Sequence, residues 1–148
     1  MRVIALDYGR KRIGVAVSDD RHHIALPLTV LESGEKLVPG LKKIIKDYRV
    51  ETMVMGCPLD LEGNEGKAAA KVRKESERLE RALNVKCVLW DERYTTKQAE
   101  MGIIRTGGRR SKKDDMVAAA IILQSYLDYC NRLTGETESP DGGDALDE

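Results

Sequence analysis

Arg2-Val-Ile-Ala-Leu-Asp-Tyr-Gly-Arg-Lys-Arg-Ile-Gly-Val-Ala-Val-Ser18 is the stretch that decides the fold of this chain. Its pattern predicts a strand, a tight basic turn and a second strand. Alternation places two sets of side chains on opposite faces of the first strand: Val3, Ala5 and Asp7 on one, and Ile4, Leu6 and Tyr8 on the other. Because both sets are largely apolar, we expect this strand at the centre of a sheet that is covered on both faces.

Asp7 stands at the end of this apolar strand. A carboxylate there needs a cation, hydrogen bonds or water to offset the cost of its desolvation. Gly9 and Gly14 leave room for a backbone segment or a phosphate to approach closely. A hairpin with a solvated aspartate beside its turn explains the stretch equally well, so the rest of the chain has to decide.

Composition indicates one globular domain: the chain has 148 residues, 41% of them hydrophobic. No apolar run approaches the roughly 18 residues that span a bilayer, and the first residues lack the layout of a signal peptide. Cys57, Cys87 and Cys130 are odd in number and lack metal-ligand spacing, which favours a reduced, cytoplasmic protein with no membrane partner. We interpret His22 and His23 as loop residues rather than zinc ligands.

The formal net charge of zero conceals an uneven distribution. Residues 134–148 contain six acids and no base, and without them 19 acidic residues remain against 25 basic ones. Residues 67–113 alone carry 14 bases and six acids. A basic middle on a neutral chain suggests a polyanionic partner, although solvated helix faces explain residues 67–81 well.

Periodicity and turn residues predict the remaining elements. We expect a strand at 24–31, a helix at 35–48, a strand at 51–56, a helix at 65–83 capped by Asn64, a strand at 86–90, a helix from 95 or 96 to about 105, and a last helix at 114–129. Pro27 favours an edge position for the third strand. The fold class is therefore α/β: a five-stranded mixed sheet, three antiparallel strands then two parallel ones joined by right-handed crossovers, with helices on both faces. Residues 1–133 form the domain, and residues 134–148 an acidic, disordered tail.

Three acidic positions fall at the ends of predicted elements: Asp7, Glu92 beside Asp91, and the adjacent pair Asp114 and Asp115. Sites in open α/β sheets collect beyond the carboxyl ends of strands, where the first two of these positions lie. We therefore expect the acids to converge at this edge of the sheet.

The phase of the last helix separates its two acids. Gln124, Ser125 and Asp128 define a polar face, and Asp114 belongs to it at about 100° per residue. Asp115 falls on the apolar side and should point towards the sheet. Alternatively, Asp115 has no catalytic role and interacts favourably with the helix dipole at the first turn, and this alternative stays open.

Three inward carboxylates repel one another unless divalent cations neutralise them. Hard oxygen ligands without histidine or cysteine suit Mg²⁺ or Mn²⁺. Two such ions about 4 Å apart are the usual apparatus for attack of water on a phosphodiester. Asp7, Glu92 and Asp115 are accordingly the predicted catalytic and metal-binding residues, with two ions expected.

Basic residues near the same turns and loops are the predicted nucleic-acid contacts: Arg10, Lys11, Arg12, Arg93, Arg109, Arg110, Lys112 and Lys113. The loop at 106–113 has two glycines and four cations but no aromatic residue, and the chain contains no phenylalanine. Recognition of backbone shape is therefore favoured over stacking on bases.

Four successive motifs resemble those of the YqgF family, the bacterial group named for nuclease activity on pre-16S ribosomal RNA or for Holliday junction resolution. The motifs are Leu6-Asp7-Tyr8-Gly9 with Gly14-Val15-Ala16, Gly56-Cys-Pro58-Leu59 with Gly63-Asn-Glu65-Gly66, Asp91-Glu92-Arg93-Tyr-Thr95-Thr96, and Asp115-Met-Val-Ala-Ala-Ala-Ile-Ile-Leu-Gln-Ser-Tyr126. The resemblance covers about residues 1–130 and implies a ribonuclease H-like fold and a metal-dependent nuclease. The acids of the family fall on Asp7, Glu92 and Asp115. Cys57 departs from the family by replacing a larger apolar residue, and Asp114 adds an acid.

The resemblance implies an endonuclease acting on structured nucleic acid, with the 5′ end of pre-16S ribosomal RNA as substrate. A Holliday junction resolvase acting on branched DNA is the first alternative, and a non-catalytic nucleic-acid-binding module the second. An ATPase of the actin and sugar-kinase type would need a second copy of the domain, for which this chain has no room. The protein is expected to be a monomer or a homodimer, and a resolvase would need a two-fold dimer to cut symmetric strands.

Overall fold

A computed structural model of the chain describes residues 1–58, 66–92 and 111–135. The strands are β1 (Arg2–Tyr8), β2 (Arg12–Ser18), β3 (Ala25–Glu32), β4 (Val50–Cys57) and β5 (Lys86–Asp91). The helices in these ranges are α1 (Leu37–Tyr48), α2 (Lys67–Leu83) and α3 (Lys112–Leu133). None of them is long and apolar enough to cross a membrane.

The strands form one sheet in the order β3-β2-β1-β4-β5. β2 is antiparallel to both β1 and β3, whereas β4 is parallel to β1 and β5 is parallel to β4. This arrangement confirms the predicted fold class. β3 lies at the edge, as Pro27 predicts, and the register shifts between Val15 and Ala16 at the level of that proline.

Hydrophobic cores lie on both faces of the sheet, which confirms the predicted alternation along β1. One core joins the sheet to α1 and α2 through large side chains: Ile4, Leu6, Ile13, Leu37, Leu41, Met53, Met55 and Leu79. The other joins the sheet to α3 and contains small residues of the central strands together with larger ones of β5 and α3: Val3, Ala5, Ala16, Val54, Trp90, Ala119, Ile122, Leu123 and Leu127. β1 is therefore the central strand, buried from both sides.

The last helix begins two residues earlier than predicted, at Lys112. Ser111 caps it: the Ser111 hydroxyl oxygen accepts from the Asp114 amide at 3.2 Å, and the Asp114 carboxylate accepts from the Ser111 amide at 3.0 Å. Lys112 and Lys113 therefore lie in the first helical turn rather than in a loop. The predicted cap of α2 was also wrong, because α2 begins after Gly66.

The polar face of α3 carries tertiary hydrogen bonds that its helical phase alone did not predict. The Gln124 amide donates to the His23 carbonyl at 2.8 Å and accepts from the Ala25 amide at 3.0 Å. Ser125 accepts from the indole of Trp90 at 3.1 Å. These bonds join α3 to β3 at one edge of the sheet and to β5 at the other edge. They therefore help to set the position of its first turn.

Several predicted features lie outside the described residues. These are the helix from 95 or 96 to 105, the greater part of the glycine-basic loop at 106–113, Asn64, and the acidic residues from Glu136 onward. The described part of α3 ends at Leu133, where the domain was predicted to end.

Candidate active site

Asp7 lies between two glycines across the sheet, on the face that α3 covers. Its backbone pairs with Gly14 of β2. On the other side Leu6 pairs with Met55, so Gly56 of β4 comes level with Asp7. Since a glycine carries no side chain, the surface is open on both sides of the Asp7 carboxylate.

Gly14 admits the first turn of α3. A Cβ atom at this position would lie 2.0 Å from the backbone oxygen of Asp115 and 3.1 Å from the nitrogen of Met116. Both neighbours are backbone atoms of a helix, which cannot move without displacing the helix itself. Gly14 is therefore required for Asp115 to lie on the sheet, and the expectation that it admits a close backbone is confirmed.

Gly56 admits the Glu92 side chain. A Cβ atom here would lie 2.6 Å from Glu92 Oε2 and 2.7 Å from Ile122 Cδ1. Glu92 follows β5 directly and turns its carboxylate back over the neighbouring strand. The sequence analysis treated Gly56 only as a strand end. A glycine between the buried residues Met55 and Cys57 was the signal that something approaches closely there.

Asp114 and Asp115 point in different directions, as the helical phase predicts. Asp115 is only 13% exposed and lines a cleft of about 750 Å³ that Asp7 also lines. Asp114 is occupied in the Ser111 cap. The two adjacent acids thus have different positions: Asp115 faces the cleft, and Asp114 takes part in the cap at the start of α3.

The β1–β2 turn supplies the basic wall of the same cleft, through Arg10, Lys11 and Arg12. Gly9 donates to the Arg12 carbonyl at 3.1 Å and closes the turn. Ser33 braces it from outside: its hydroxyl donates to the Arg10 carbonyl at 2.7 Å and its amide to the Lys11 carbonyl at 3.0 Å. Three of the predicted nucleic-acid contacts therefore sit on a fixed turn beside Asp7.

Two of the other predicted contacts fall within the described residues. Lys112 and Lys113 are exposed at the start of α3 and do not line the cleft. Arg93, Arg109 and Arg110 lie outside the described residues. Glu92 also falls outside the lining of the cleft: it follows β5, and its carboxylate reaches Gly56 on β4, the strand between β5 and β1.

Arg12 forms an ion pair with Asp115, with 2.9 Å between Arg12 Nε and Asp115 Oδ2. That oxygen is buried, so the positive charge of the guanidinium offsets part of the cost of its desolvation. The Arg12 side chain is 35% exposed towards the cleft. Sequence analysis assigned this arginine to nucleic acid and did not foresee its carboxylate partner.

Tyr8 belongs to a second polar cluster, beneath the sheet. Burial raises the pKa of its hydroxyl to about 12, and a hydrogen bond to Glu75 of α2 adds to the effect. Two hydrogen bonds from Arg78 hold the pKa of Glu75 below its ordinary value despite partial burial. The cluster fixes α2 under the end of β1, one residue from Asp7. Sequence analysis had treated this part of α2 as a solvated face.

The donor set fits a hard divalent cation, because carboxylate oxygens are the ligands that Mg²⁺ and Mn²⁺ prefer. Gly14 and Gly56 allow Asp115 and Glu92 to approach the strand end that carries Asp7. In the described part of the chain, however, no three histidine, cysteine or acidic side chains are grouped closely enough to hold an ion. The carboxylates are brought to one edge of the sheet without being drawn together into a ligand cluster.

Comparison with known proteins identifies relatives that cover most of this chain. The model of the RuvX family, described as Holliday junction resolvase, matches residues 1–129. A protein of Caldanaerobacter subterraneus named "Putative pre-16S rRNA nuclease" is 44% identical over 134 residues, which are 86% of this chain and 96% of that protein. A relative of the same name from Syntrophus aciditrophicus is 43% identical, covering 86% of this chain and 89% of its own.

Solved structures share the fold at much lower identity. The Thermus thermophilus RuvC structure in complex with a Holliday junction substrate is 15% identical, with a TM-score of 0.59 over 89% of this chain and 96% of that chain. The fowlpox virus Holliday junction resolvase is 14% identical, with a TM-score of 0.53 over 87% of this chain and 99% of that chain. Together with the relatives above, the family match confirms the resemblance drawn from the four motifs: this chain belongs to the RuvX family, also called YqgF.

Proposed function

We propose that the chain is a divalent-metal-dependent endonuclease that cleaves structured nucleic acid, with precursor 16S ribosomal RNA as its substrate. One observation supports the chemistry above all. Asp7 is flanked by two glycines, and the space they leave is taken by Asp115 on one side and Glu92 on the other. At these two positions acidic groups occupy space that apolar side chains would ordinarily fill, and a catalytic role for the acids explains this arrangement.

In this proposal Asp7, Glu92 and Asp115 hold Mg²⁺ or Mn²⁺, with two ions expected. The ions would activate a water molecule and stabilise charge on the phosphodiester. Arg10, Lys11 and Arg12 contact phosphates of the bound strand, because they line the cleft that contains Asp7. Arg93, Arg109, Arg110, Lys112 and Lys113 are proposed to extend this contact beyond the cleft.

The choice of substrate follows the names of the relatives, which specify pre-16S ribosomal RNA. Cleavage of branched DNA is the second candidate, favoured by the description of the family model. A resolvase would act as a two-fold dimer, whereas processing of one RNA end needs only a monomer. Cys57, Cys87 and Cys130 are thiols rather than disulfides, which supports a reducing cytoplasmic compartment.

The test is a cleavage assay on a precursor 16S ribosomal RNA fragment beside a four-way DNA junction, each with Mg²⁺, Mn²⁺ or EDTA. We expect metal-dependent cleavage of the RNA by the parent protein and none by Asp7→Asn. Preferential symmetric cleavage of the junction would favour the resolvase instead. Binding of both substrates with cleavage of neither would favour the non-catalytic module.

A further inference from the structure

The ion pair between Arg12 and Asp115 joins two residues for which the proposed function has separate uses. Arg12 is assigned to phosphate and Asp115 to metal, yet Nε of the first lies 2.9 Å from Oδ2 of the second. The two side chains line one cleft with Asp7. In the structure the guanidinium therefore supplies the positive charge that a metal would otherwise bring to this carboxylate.

Electrostatics sets the guanidinium and a divalent cation in competition for the Asp115 carboxylate. Asp115 is 13% exposed, so leaving its charge uncompensated would be costly. A divalent cation on the same carboxylate provides that compensation and repels a guanidinium at ion-pair distance. Gly14 holds the backbone of Asp115 against β2, so the aspartate cannot retreat to keep both partners. Arg12 is the partner that can move, since it is long and partly exposed.

We propose that Arg12 is the resident countercharge of Asp115 in the metal-free protein and that a divalent cation displaces it into the cleft. This inference rests on the proposed metal site. Metal binding then both completes the acidic site and releases a guanidinium beside Arg10 and Lys11. A guanidinium presents a planar fork of donors that suits a phosphate, so the same step prepares the cleft for substrate.

The competing explanation is that Arg12 stays on Asp115 permanently and orients it for the metal. A permanent partner predicts that metal binds no better, or worse, when Arg12 is replaced. A displaced countercharge predicts the opposite, because the metal no longer competes with the ion pair. Metal affinity measured without any substrate therefore separates the two.

The experiment is a calorimetric titration of the full chain with Mn²⁺, comparing the parent with Arg12→Gln and Arg10→Gln. Arg10→Gln is the matched control because it removes the same charge from the same turn, and Arg10 also lines the cleft. We expect Arg12→Gln to bind Mn²⁺ about five- to tenfold more tightly than Arg10→Gln, within the usual range of coupling between sites. Equal affinities for the two variants would overturn the proposal.

A measurement on the parent protein avoids any dependence on how the variants fold. The Nε–H resonance of Arg12 should shift on titration with Mg²⁺, in step with metal binding, as the ion pair breaks. An unchanged resonance at saturating Mg²⁺ would show that Arg12 remains on Asp115 and would overturn the proposal. Failure of the parent and both variants to bind either metal would refute the proposed metal site itself.

Discussion

The two faces of the sheet are built from different sizes of side chain. Towards α1 and α2 the sheet presents large residues such as Ile4, Leu6 and Met53, all fully buried. Towards α3 it presents Ala5, Ala16 and two glycines at the level of Asp7. Around the end of β1 the first face is filled by large side chains, whereas the second lets a helix come close to the strands at Gly14.

This difference suggests that one face mainly stabilises the fold and that the other mainly forms the candidate site. Large interlocking side chains supply most of the stability that burial provides. Small residues contribute less free energy of burial, but they allow Asp115 and Glu92 to approach the end of β1. Substitutions on the α1 and α2 face should therefore change stability and spare activity, whereas those on the α3 face should change metal binding and activity, with or without a loss of stability.

The largest effect is expected for Asp7→Asn, which keeps the shape of the side chain and removes its charge. Cleavage should fall by about three orders of magnitude or more, as for loss of an essential group. The melting temperature in metal-free buffer should stay the same or rise, because repulsion between neighbouring acids is relieved. A melting temperature lower by many degrees would instead make Asp7 a structural residue.

Leu6→Ala tests the opposite face one residue away. Leu6 is fully buried in the core towards α1 and α2, so its truncation should cost about 2–5 kcal/mol of unfolding free energy. Metal affinity of the folded protein should be unchanged at low temperature. Urea unfolding gives the first quantity and Mn²⁺ calorimetry the second. A variant of normal stability that had lost metal binding would erase the distinction between the faces.

Gly14→Ala should affect both properties, because it pushes α3 away from β2. The new Cβ would meet the Asp115 carbonyl at 2.0 Å, and overpacking of this kind costs about 1–3 kcal/mol. Metal affinity should fall as well, since Asp115 moves with its helix. Gly66→Ala is the control, because no atom of the described residues lies within 4 Å of a Cβ added there. Equal stabilities for the two variants would contradict the close approach.

The smallest effect is expected for Glu75→Gln in the cluster below the sheet. Hydrogen bonds from Arg78 lower the pKa of Glu75, so the charged form stabilises the fold above the unfolded pKa and this stability is lost as the pH falls through the folded pKa. Because Arg78 is 49% exposed, the difference from the parent should be only about 0.5–1 kcal/mol at pH 7. It should start to shrink as the pH falls below about 4.3, the ordinary pKa of glutamate, and vanish below the lowered pKa of the folded state. Urea unfolding across this pH range measures it, and a difference that grew with acid would contradict the assignment.

The sequence predicted those features that depend on local periodicity. Alternation along β1 placed Leu6 and Asp7 on opposite faces, and the helical phase placed Asp115 towards the sheet. The start of α3 was wrong because the pairing of Ser111 with Asp114 was not read as a cap, although the pattern is present in the sequence.

Other features depend on partners that are remote in the chain. Gly56 lies beneath Glu92, and Trp90 donates to Ser125, 35 residues away. Arg12 meets Asp115 only after α3 has packed on β2. Neither composition nor spacing reveals such pairs, because packing against the sheet decides which side chains meet.

The central claim is that close packing of α3 on the glycine-bearing face places Asp115, and not Asp114, in a metal site. Calorimetric titration of Asp115→Asn and Asp114→Asn with Mn²⁺ tests it most directly, since the two variants differ by one position and remove the same charge. The side-chain oxygen of an asparagine at position 114 can still accept a hydrogen bond from the Ser111 amide, so the helix cap should be retained. The account predicts that Asp115→Asn weakens Mn²⁺ binding by orders of magnitude while Asp114→Asn binds like the parent. Loss of binding in Asp114→Asn with normal binding in Asp115→Asn would contradict it.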